Sequence, residues 1–232
     1  MTSLLQTLKQ LGSPGGIEGY FAVKYAEFAR DTPAMRDEYR RLAAETASVL
    51  QAGRVLEIGP GPGFIAIEIA KLLPEVRVVG LDVSRTMIDI ATSNACKHGV
   101  SERVEFREGD ASEMPFEDAS FDFVISSGSL HHWEDPGRIF REAHRVLKPG
   151  CRALISDLRS DAPEDEVQEF AAQIDSWLMR WGLRHSLREG YTVQEAEQLV
   201  NGLPFASFRA EVDSISMAIW LEKGRRSDAA VG

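Results

Sequence analysis

The sequence contains little of what a disulfide framework, a zinc site or a membrane span requires. Its 232 residues include two cysteines, Cys96 and Cys151, too few for a disulfide framework or a four-cysteine zinc site. No apolar run approaches the roughly 20 residues that span a bilayer, and no histidine–carboxylate spacing matches HExxH, so we expect no catalytic metal. The N-terminus lacks the apolar core of a signal peptide. These absences predict a cytoplasmic protein with reduced cysteines.

Basic residues are also few relative to acidic ones. Lysine and arginine number 26 against 36 aspartates and glutamates, which gives a formal charge of -10. Nucleic acids and anionic membranes bind proteins through basic patches, so this excess of acidic residues argues against both as partners. It is compatible with a small-molecule partner. The apolar fraction of 44% and the charged fraction of 27% are ordinary for a folded globular chain. The length favours one domain with embellishments.

Short β-branched runs alternate with helical stretches from residue 54 onward. The predicted strands cover residues 54–58, 76–82, 103–107, 121–126 and 152–157. Such alternation favours a mostly parallel α/β sheet covered by helices on both faces. Beyond the fifth strand the pattern changes to one long predicted helix over 163–181, a helix opened by a Thr192–Glu195 capping box, and two closing strands over 206–212 and 214–221.

The most informative stretch is a glycine-rich loop after the first predicted strand. It reads Glu57-Ile-Gly59-Pro-Gly61-Pro-Gly63-Phe64, and in an open parallel sheet such a loop lies at the carboxyl ends of the strands, where ligands bind. Phe64 occupies the sixth place of the dinucleotide fingerprint, which needs a small residue, and no Gly-Lys-Ser/Thr of a phosphate-binding loop follows. Glu57 would repel a pyrophosphate. The loop therefore suits a nucleoside without phosphates, including one with positive charge.

Acidic residues follow the next two predicted strands. Asp82 comes 19 residues after Gly63, and a carboxylate at that place can accept hydrogen bonds from both ribose hydroxyls. Asp110 follows the third strand, where it can accept a hydrogen bond from an exocyclic amine. Each aspartate has an alternative interpretation as a turn former or helix cap. Their positions after successive strands favour the ligand interpretation.

Five segments between residues 54 and 157 carry a family resemblance. They are LEIGPGPG, LDVSRTMI, REGDASEMPFEDASFD, FVISSGSLHHWED and REAHRVLKPG. In order and spacing they resemble the class I S-adenosylmethionine-dependent methyltransferases, closest to the small-molecule group with quinone-ring methylases and natural-product sugar O-methyltransferases. The resemblance implies an α/β fold: a Rossmann-like, seven-stranded, mostly parallel sheet with helices on both faces and an antiparallel last strand. It implies a single methyltransferase domain over 1–232, divided into an N-terminal helical flap (1–32), a cofactor-binding core (33–157), a helical substrate cap inserted after strand five (158–202) and closing strands (203–223).

The same resemblance implies S-adenosyl-L-methionine as cofactor, S-adenosyl-L-homocysteine as product, and a role for each matching residue. Asp82 would hold the ribose. The residues implied to surround the methionine half are Glu57, Gly59, Gly61 and Gly63, with Ser126 or Ser127 near its end. The residues implied to contact the adenine are Val83, Met87, Asp110 and Ala111. Tyr25, in the N-terminal flap, would close over the cofactor.

The candidate catalytic pair is His131 and Asp157. His131 follows the fourth predicted strand and Asp157 ends the fifth, 26 residues later, and adjacent strand ends can bring both into one pocket. Imidazole titrates near neutrality, so His131 can take a proton from an alcohol. Resemblance to sugar O-methyltransferases with this pattern implies that the histidine is the base and that the acid orients it or the substrate hydroxyl. A role of His131 in packing or in shaping the pocket is the alternative.

The leading functional hypothesis is transfer of a methyl group to an oxygen of a small-molecule acceptor. The alternatives are C-methylation of a quinone-like ring and a non-catalytic module that binds S-adenosylmethionine. A nicotinamide dehydrogenase is disfavoured by Phe64. A stripe of apolar residues after strand five predicts a core, a pocket roof or a homodimer contact; its members are Phe170, Ile174, Trp177, Leu178 and Trp181.

Overall fold

Seven β-strands form one sheet in the computed structural model, which describes residues 16–225. The strands are β1 (Ala52–Ile58), β2 (Glu75–Asp82), β3 (Val104–Glu108), β4 (Phe121–Ser127), β5 (Leu147–Leu158), β6 (Ser207–Asp213) and β7 (Ser216–Glu222). Their order in the sheet is β3-β2-β1-β4-β5-β7-β6. β1 to β5 are parallel, and β7 is antiparallel to both of its neighbours. The predicted Rossmann-like α/β sheet with an antiparallel last strand is therefore confirmed.

Eight α-helices pack around the sheet within the described residues. They are α1 (Gly19–Asp31), α2 (Pro33–Val49), α3 (Phe64–Leu72), α4 (Arg85–Lys97), α5 (Pro136–Val146), α6 (Glu164–Ala172), α7 (Trp177–Glu189) and α8 (Val193–Val200). Val55 of β1 packs in one core with α2 and α3, whereas the next residue, Leu56, packs in a second core with α5 and α8. Helices thus cover both faces of the sheet. Among residues 16–225, none of these helices combines the length and apolarity of a membrane-crossing segment.

Local sequence signals determine where several helices begin. Ser84 Oγ accepts a hydrogen bond from the Met87 amide at 3.1 Å and caps α4. Thr192 Oγ1 accepts from the Glu195 amide at 3.1 Å, while the Glu195 carboxylate accepts from the Thr192 amide at 2.8 Å. These caps satisfy amide groups that the first helical turn leaves without an intrahelical partner. The predicted capping box is confirmed.

The single long helix predicted over 163–181 is wrong. The chain forms two helices there, α6 and α7, separated by residues 173–176. Ser176 Oγ accepts a hydrogen bond from the Met179 amide at 3.4 Å at the start of α7. Apolar periodicity missed this break because a serine within a long helical pattern is equally compatible with an exposed position in the helix.

The break separates apolar residues that the sequence pattern placed on one stripe. Ile174 is buried, whereas Trp177 is 59% exposed and Trp181 is 37% exposed. Ile174 and Met179 pack instead with Phe21 of α1 in a small core of their own. We refer to the layer formed by α1, α6 and α7 as the roof.

The predicted N-terminal flap is described in part, because residues 1–15 lie outside the described residues. Residues 16–18 form a short segment, the strap, that contacts the start of α4. There the Ile17 carbonyl accepts a hydrogen bond from Ser84 Oγ at 2.7 Å. The strap continues into α1, so the flap joins the sheet to the roof.

Candidate active site

A cavity of about 610 Å³ opens at the carboxyl ends of the parallel strands. It lies where the strand order reverses between β1 and β4, the place where open α/β sheets bind ligands. Loops after β1, β2 and β3 border one end, which we refer to as the cofactor end. The loop after β4, the end of β5 and the roof border the other, the acceptor end. The cavity has a size typical of small-molecule sites.

The glycine loop has a backbone that favours glycine at three positions. The φ angles of Gly59, Gly61 and Gly63 are 65°, 50° and 79°, in the left-handed region that residues with a β-carbon disfavour. A β-carbon on Gly63 would lie 2.5 Å from Phe106 Cζ, so this glycine permits close helix–strand packing. A β-carbon on Gly61 would meet Tyr25 Cε1 at 3.9 Å and no other atom within 4 Å among the described residues. Gly61 therefore leaves an open surface toward the cavity.

Asp82 is held in place by the glycine loop and by the start of α4. Its Oδ2 accepts a hydrogen bond from the Gly61 amide at 3.0 Å, and its Oδ1 accepts from the Ser84 amide at 2.9 Å. Burial raises the pKa of Asp82, and these amide donors oppose the shift because they favour the charged form. Each oriented oxygen has a further lone pair. The carboxylate borders the cofactor end, as a contact with ribose hydroxyls requires.

Glu57 is buried behind the glycine loop, with 1% of its surface exposed. Its Oε2 accepts a hydrogen bond from the Ala66 amide, at the start of α3, at 3.0 Å. Burial raises the pKa of Glu57 to about 8; the Ala66 amide opposes this shift and the charge of Asp82 adds to it. In either protonation state the side chain offers no positive charge that could hold a phosphate.

The four residues predicted to contact an adenine lie together at the cofactor end. Met87 is buried on α4, Val83 is 41% exposed just before that helix, and Asp110 and Ala111 follow β3. Asp110 Oδ1 accepts a hydrogen bond from the Ser112 amide at 2.7 Å and caps a short 3-10 turn. Asp110 thus combines both predicted features, since it caps a turn and also borders the cavity.

The structure distinguishes the two serines that end β4. Ser126 is buried, and its Oγ donates a hydrogen bond to the Ile58 carbonyl at 2.8 Å. Ser127 borders the cavity, and Ser126 is not among the described residues that do so. Successive residues of a strand point to opposite faces, so one serine packs against the sheet and the other is placed to contact a ligand.

Tyr25 reaches from α1 into the cavity, near carboxylates at both ends. Burial raises the pKa of Tyr25 to about 12, and the negative charges of Asp157 and Asp82 add to the shift. The side chain is therefore a neutral phenol at physiological pH. It borders the cavity beside the glycine loop, where a β-carbon on Gly61 would lie 3.9 Å from its Cε1; closure of the flap over the cofactor stays a prediction.

His131 and Asp157 form a buried pair at the acceptor end. His131 Nδ1 lies 2.8 Å from Asp157 Oδ1, and the two side chains are 4% and 1% exposed. The His131 amide donates to Asp157 Oδ2 at 3.0 Å, and the Leu158 amide donates to Oδ1 at 2.7 Å. One carboxylate thus accepts from three N–H groups. The structure brings together the two side chains that the sequence paired.

The second ring nitrogen of His131, Nε2, is buried and has no hydrogen-bond partner among the described residues. An ionised carboxylate is an acceptor, so its contact with Nδ1 assigns the proton to Nδ1 and leaves a lone pair on Nε2. A buried acceptor without a donor costs about 1 to 3 kcal/mol. A hydroxyl group placed against Nε2 would remove that cost.

His132 packs against His131 but does not share its carboxylate partner. Its ring centroid lies 3.9 Å from that of His131. Burial lowers the pKa of His132 to about 4. His132 is therefore a neutral wall residue at physiological pH. Within residues 16–225, no group of three or more histidine, cysteine or acidic side chains could hold a metal ion.

Several residues around the acceptor end were not identified from the sequence. They are Met35, Tyr39, Met179, Gly182, Leu183, Ser186 and Ile215. Most are apolar residues on helices, and the local pattern of such residues is the same in a pocket wall as in a core. Only the stripe that was predicted as a pocket roof, a core or a dimer contact signalled part of this wall.

A family model described as a methyltransferase domain matches residues 50–200. The chain belongs to the class I S-adenosylmethionine-dependent methyltransferases. The chain is 38% identical over 151 residues to 27-O-demethylrifamycin SV methyltransferase of Amycolatopsis mediterranei, a match that covers 65% of the chain and 53% of the relative. It is 37% identical over 117 residues to demethylmenaquinone methyltransferase of Deinococcus radiodurans, a match that covers 50% of the chain and 48% of that relative. The matches span about half the length of these curated relatives.

A solved structure supports the same architecture. The plantazolicin methyltransferase BpumL, in complex with a monoazolic desmethylPZN analog and SAH, superposes on this chain with a TM-score of 0.69 at 16% identity. The superposition covers 88% of this chain and 89% of that one. At this identity the likeness shows the fold alone.

The residues at the cofactor end fit the family's cofactor, S-adenosylmethionine. Gly61 leaves an open surface, and the Asp82 carboxylate is oriented toward the cavity. Pro60 and Pro62 carry no amide hydrogen that could donate to a phosphate. The buried carboxyl of Glu57 lies beside the same loop. A nucleoside with positive charge and no phosphate suits this set of groups.

Proposed function

We propose that this protein is an enzyme that transfers a methyl group from S-adenosylmethionine to an oxygen atom of a small-molecule acceptor, with His131 as general base. The observation that carries the proposal is the His131–Asp157 pair at the acceptor end, because His131 Nε2 has no hydrogen-bond partner among residues 16–225. Similarity to a relative named as a 27-O-demethylrifamycin SV methyltransferase supports an oxygen acceptor.

The residues at the cofactor end bind S-adenosylmethionine and orient it. Asp82 accepts hydrogen bonds from the ribose hydroxyls, and Val83, Met87, Asp110 and Ala111 surround the adenine. The residues that make the remaining contacts with the cofactor are Glu57, Gly59, Gly61, Gly63, Ser127 and Tyr25. Ser126 supports the strand behind them. When bound, the cofactor supplies a methyl group that its sulfonium already activates. The chain's further contribution is to align the acceptor oxygen and to exclude water.

At the acceptor end, His131 removes the proton of the acceptor hydroxyl. The acceptor hydroxyl donates a hydrogen bond to His131 Nε2, and its proton moves to Nε2 as the oxygen takes the methyl group; the methyl–sulfur bond would break in the same displacement, with S-adenosylhomocysteine as the leaving group. The imidazole then carries a positive charge, which the Asp157 carboxylate stabilises through Nδ1. Three N–H donors hold Asp157 in place. After release of the methyl ether, His131 returns the proton to solvent. A positioned base of this kind contributes about 10²- to 10⁴-fold in rate.

A screen of hydroxylated small molecules with methyl-labelled S-adenosylmethionine, followed by identification of the labelled atom, tests this function. With an accepted substrate, we expect His131→Ala to lower kcat about 10²- to 10⁴-fold and to leave the affinity for S-adenosylhomocysteine unchanged. The adjacent His132→Ala is the matched control, with kcat within a few-fold of the parent. Full activity of His131→Ala would remove the base role.

C-methylation of a quinone-like ring is the second candidate. The apolar core of the roof suits a planar ring, and the chain is similar to a demethylmenaquinone methyltransferase. In that case the label appears on a carbon atom and His131→Ala has a small effect. Tight cofactor binding with no labelled product from any acceptor class would instead indicate a non-catalytic binding module.

The partner that we infer is a small molecule and not a nucleic acid, because the chain carries a formal charge of -10. A cytoplasmic location and a homodimer stay predictions from the sequence. Cell fractionation tests the first, and light scattering on the purified full chain tests the second.

A further inference from the structure

Part of the acceptor end is an apolar space, the acceptor chamber. Its walls are Phe21, Phe28, Ile174, Met179, Leu183 and Ile215. These residues come from α1, from α7 and the residues before it, and from the turn between β6 and β7. Leu158, which directly follows Asp157, packs in the same cluster as Leu183 and Ile215. The chamber therefore adjoins the His131–Asp157 pair.

The described residues give the chamber no free lysine or arginine that could pair with an anion. Among the described residues that line the whole cavity, Arg138 is the one lysine or arginine. Its Nε donates to the Ser112 carbonyl at 2.7 Å, and Ser112 belongs to the cofactor end. A carboxylate or phosphate on the acceptor would thus be buried near Asp157 and other acids without a counter-charge, which is strongly unfavourable.

The acidic groups that border the acceptor end either have partners or are exposed, as Glu134 is. Asp157 already accepts three hydrogen bonds, from the His131 amide, His131 Nδ1 and the Leu158 amide. Glu38 borders the cavity but pairs with Arg41 at 2.7 Å. Asp213 lies at the exposed rim. Among residues 16–225, an ammonium group inside the chamber would therefore find no buried carboxylate that lacks partners of its own.

Two buried side-chain nitrogens lack a partner among the described residues, His131 Nε2 and His185 Nε2, and of the two residues only His131 lines the cavity, where its Nε2 needs a donor. A neutral hydroxyl supplies that donor and brings no charge into the apolar space. We propose that the acceptor is an uncharged, largely apolar alcohol or phenol, and that the chamber excludes acceptors with a carboxylate, phosphate or ammonium group near the reacting oxygen. This inference rests on the proposed function for the position of the reacting oxygen, but its charge selectivity is a binding property.

Equilibrium dialysis of the full chain saturated with S-adenosylhomocysteine tests the selectivity at pH 7. The probes are matched in shape: 2-naphthol, 2-naphthoate and 2-naphthylmethylammonium, with the corresponding biphenyl set as a second scaffold. We expect the neutral member of at least one set to bind at least 10-fold more tightly than both ions. Equal or tighter binding of either ion, or binding of no neutral probe up to its solubility, would overturn the proposal.

Variants of α7 locate the binding and test its cause. Gly182→Leu adds bulk to the chamber wall and removes a glycine from a helix interior, which favours helix formation. We expect it to abolish binding of the neutral probe and to leave S-adenosylhomocysteine binding intact; unchanged probe binding would refute the location. Ser186→Lys places a cation at the wall, and Ser186→Gln is its uncharged control. We expect Lys, and not Gln, to improve 2-naphthoate binding at least three-fold, and equal effects of the two would contradict the charge argument.

The two proposals fail separately. If the neutral probe is selected as expected but no acceptor is ever methylated, the proposed enzymatic function fails and the chamber's selectivity stands. If methyl transfer is observed and the productive acceptors are anions, the function stands and the chamber proposal is refuted.

Discussion

The cofactor end of the cavity is built from backbone loops directly after β1, β2 and β3, whereas the acceptor end is built largely from side chains of the roof. At the cofactor end, the Asp82 carboxylate accepts hydrogen bonds from the Gly61 and Ser84 amides. The end of β2 therefore orients the glycine loop that follows β1. At the acceptor end, Phe21 and Met179 come from helices outside the sheet and pack against each other. The cofactor site is therefore part of the sheet framework, while the acceptor wall can change in sequence without disturbing that framework.

The two ends also treat a buried carboxyl group differently. Glu57 accepts one hydrogen bond, from the Ala66 amide. Asp157 accepts three, from the His131 amide, His131 Nδ1 and the Leu158 amide. Burial raises the pKa of Glu57, which has a single amide donor to oppose the shift, whereas the three donors around Asp157 fix the orientation of its carboxyl group beside His131.

The largest expected effect concerns packing under the cofactor end. Gly63→Ala would place a β-carbon 2.5 Å from Phe106 Cζ and 2.9 Å from Ala91 Cβ, at a φ of 79°. We expect the free energy of unfolding to fall by about 2 to 5 kcal/mol, the sum of overpacking and left-handed strain. Gly99→Ala is the control, because its φ is 69° but no described atom lies within 4 Å of the added carbon. Equal losses in urea denaturation would show that packing contributes nothing.

The next effect is a pH dependence from Glu57. The folded protein keeps this carboxyl protonated up to a pKa of about 8, whereas the unfolded chain releases the proton near 4.5. The unfolded state therefore binds fewer protons between these values, and stability falls as pH rises. We expect the parent to lose about 3 kcal/mol between pH 5 and pH 7.5 relative to Glu57→Gln. Urea denaturation at both pH values measures this difference. The same change in the free energy of unfolding with pH in the two proteins would refute the prediction.

Asp82→Asn sharpens the contrast between the two ends. The substitution weakens charge-assisted hydrogen bonds worth about 1.5 to 3 kcal/mol, so we expect calorimetry to show affinity for S-adenosylhomocysteine at least 10-fold lower. Ser186→Gln, in the acceptor wall, should leave that affinity unchanged. A similar loss in both variants would mean that the two ends do not act independently.

The smallest effect concerns the strap over the cofactor end. Thr86 Oγ1 donates a hydrogen bond to the Glu18 carboxylate and accepts one from the Gly19 amide at 3.2 Å. Thr86→Val removes both contacts, and we expect stopped-flow measurements to show S-adenosylhomocysteine release about three-fold faster, because these partly exposed bonds contribute little. Thr86→Ser keeps the hydroxyl and should restore the parent rate. Identical release in all three proteins would exclude the strap from gating.

Much of the sheet and of the cofactor end could be predicted, because the determining signals are local. Alternating strands and helices, the glycines of one loop and the carboxylates after two strands each lie within a few residues of one another. The choice between Ser126 and Ser127 could not be made, since it depends on the twist and end of β4. The break between α6 and α7 was missed because the stripe of apolar residues continues across it.

The order of residues along the chain was sufficient for the fold class, the family and the set of groups after β1 to β4, because periodicity and short motifs act over one or two turns of structure. The three donors around Asp157, the isolation of Glu57 behind its loop and the enclosure of the acceptor chamber needed the folded protein. Those features depend on segments that are distant in sequence, and burial and hydrogen bonding between such segments exist only once the strands and the roof have packed together.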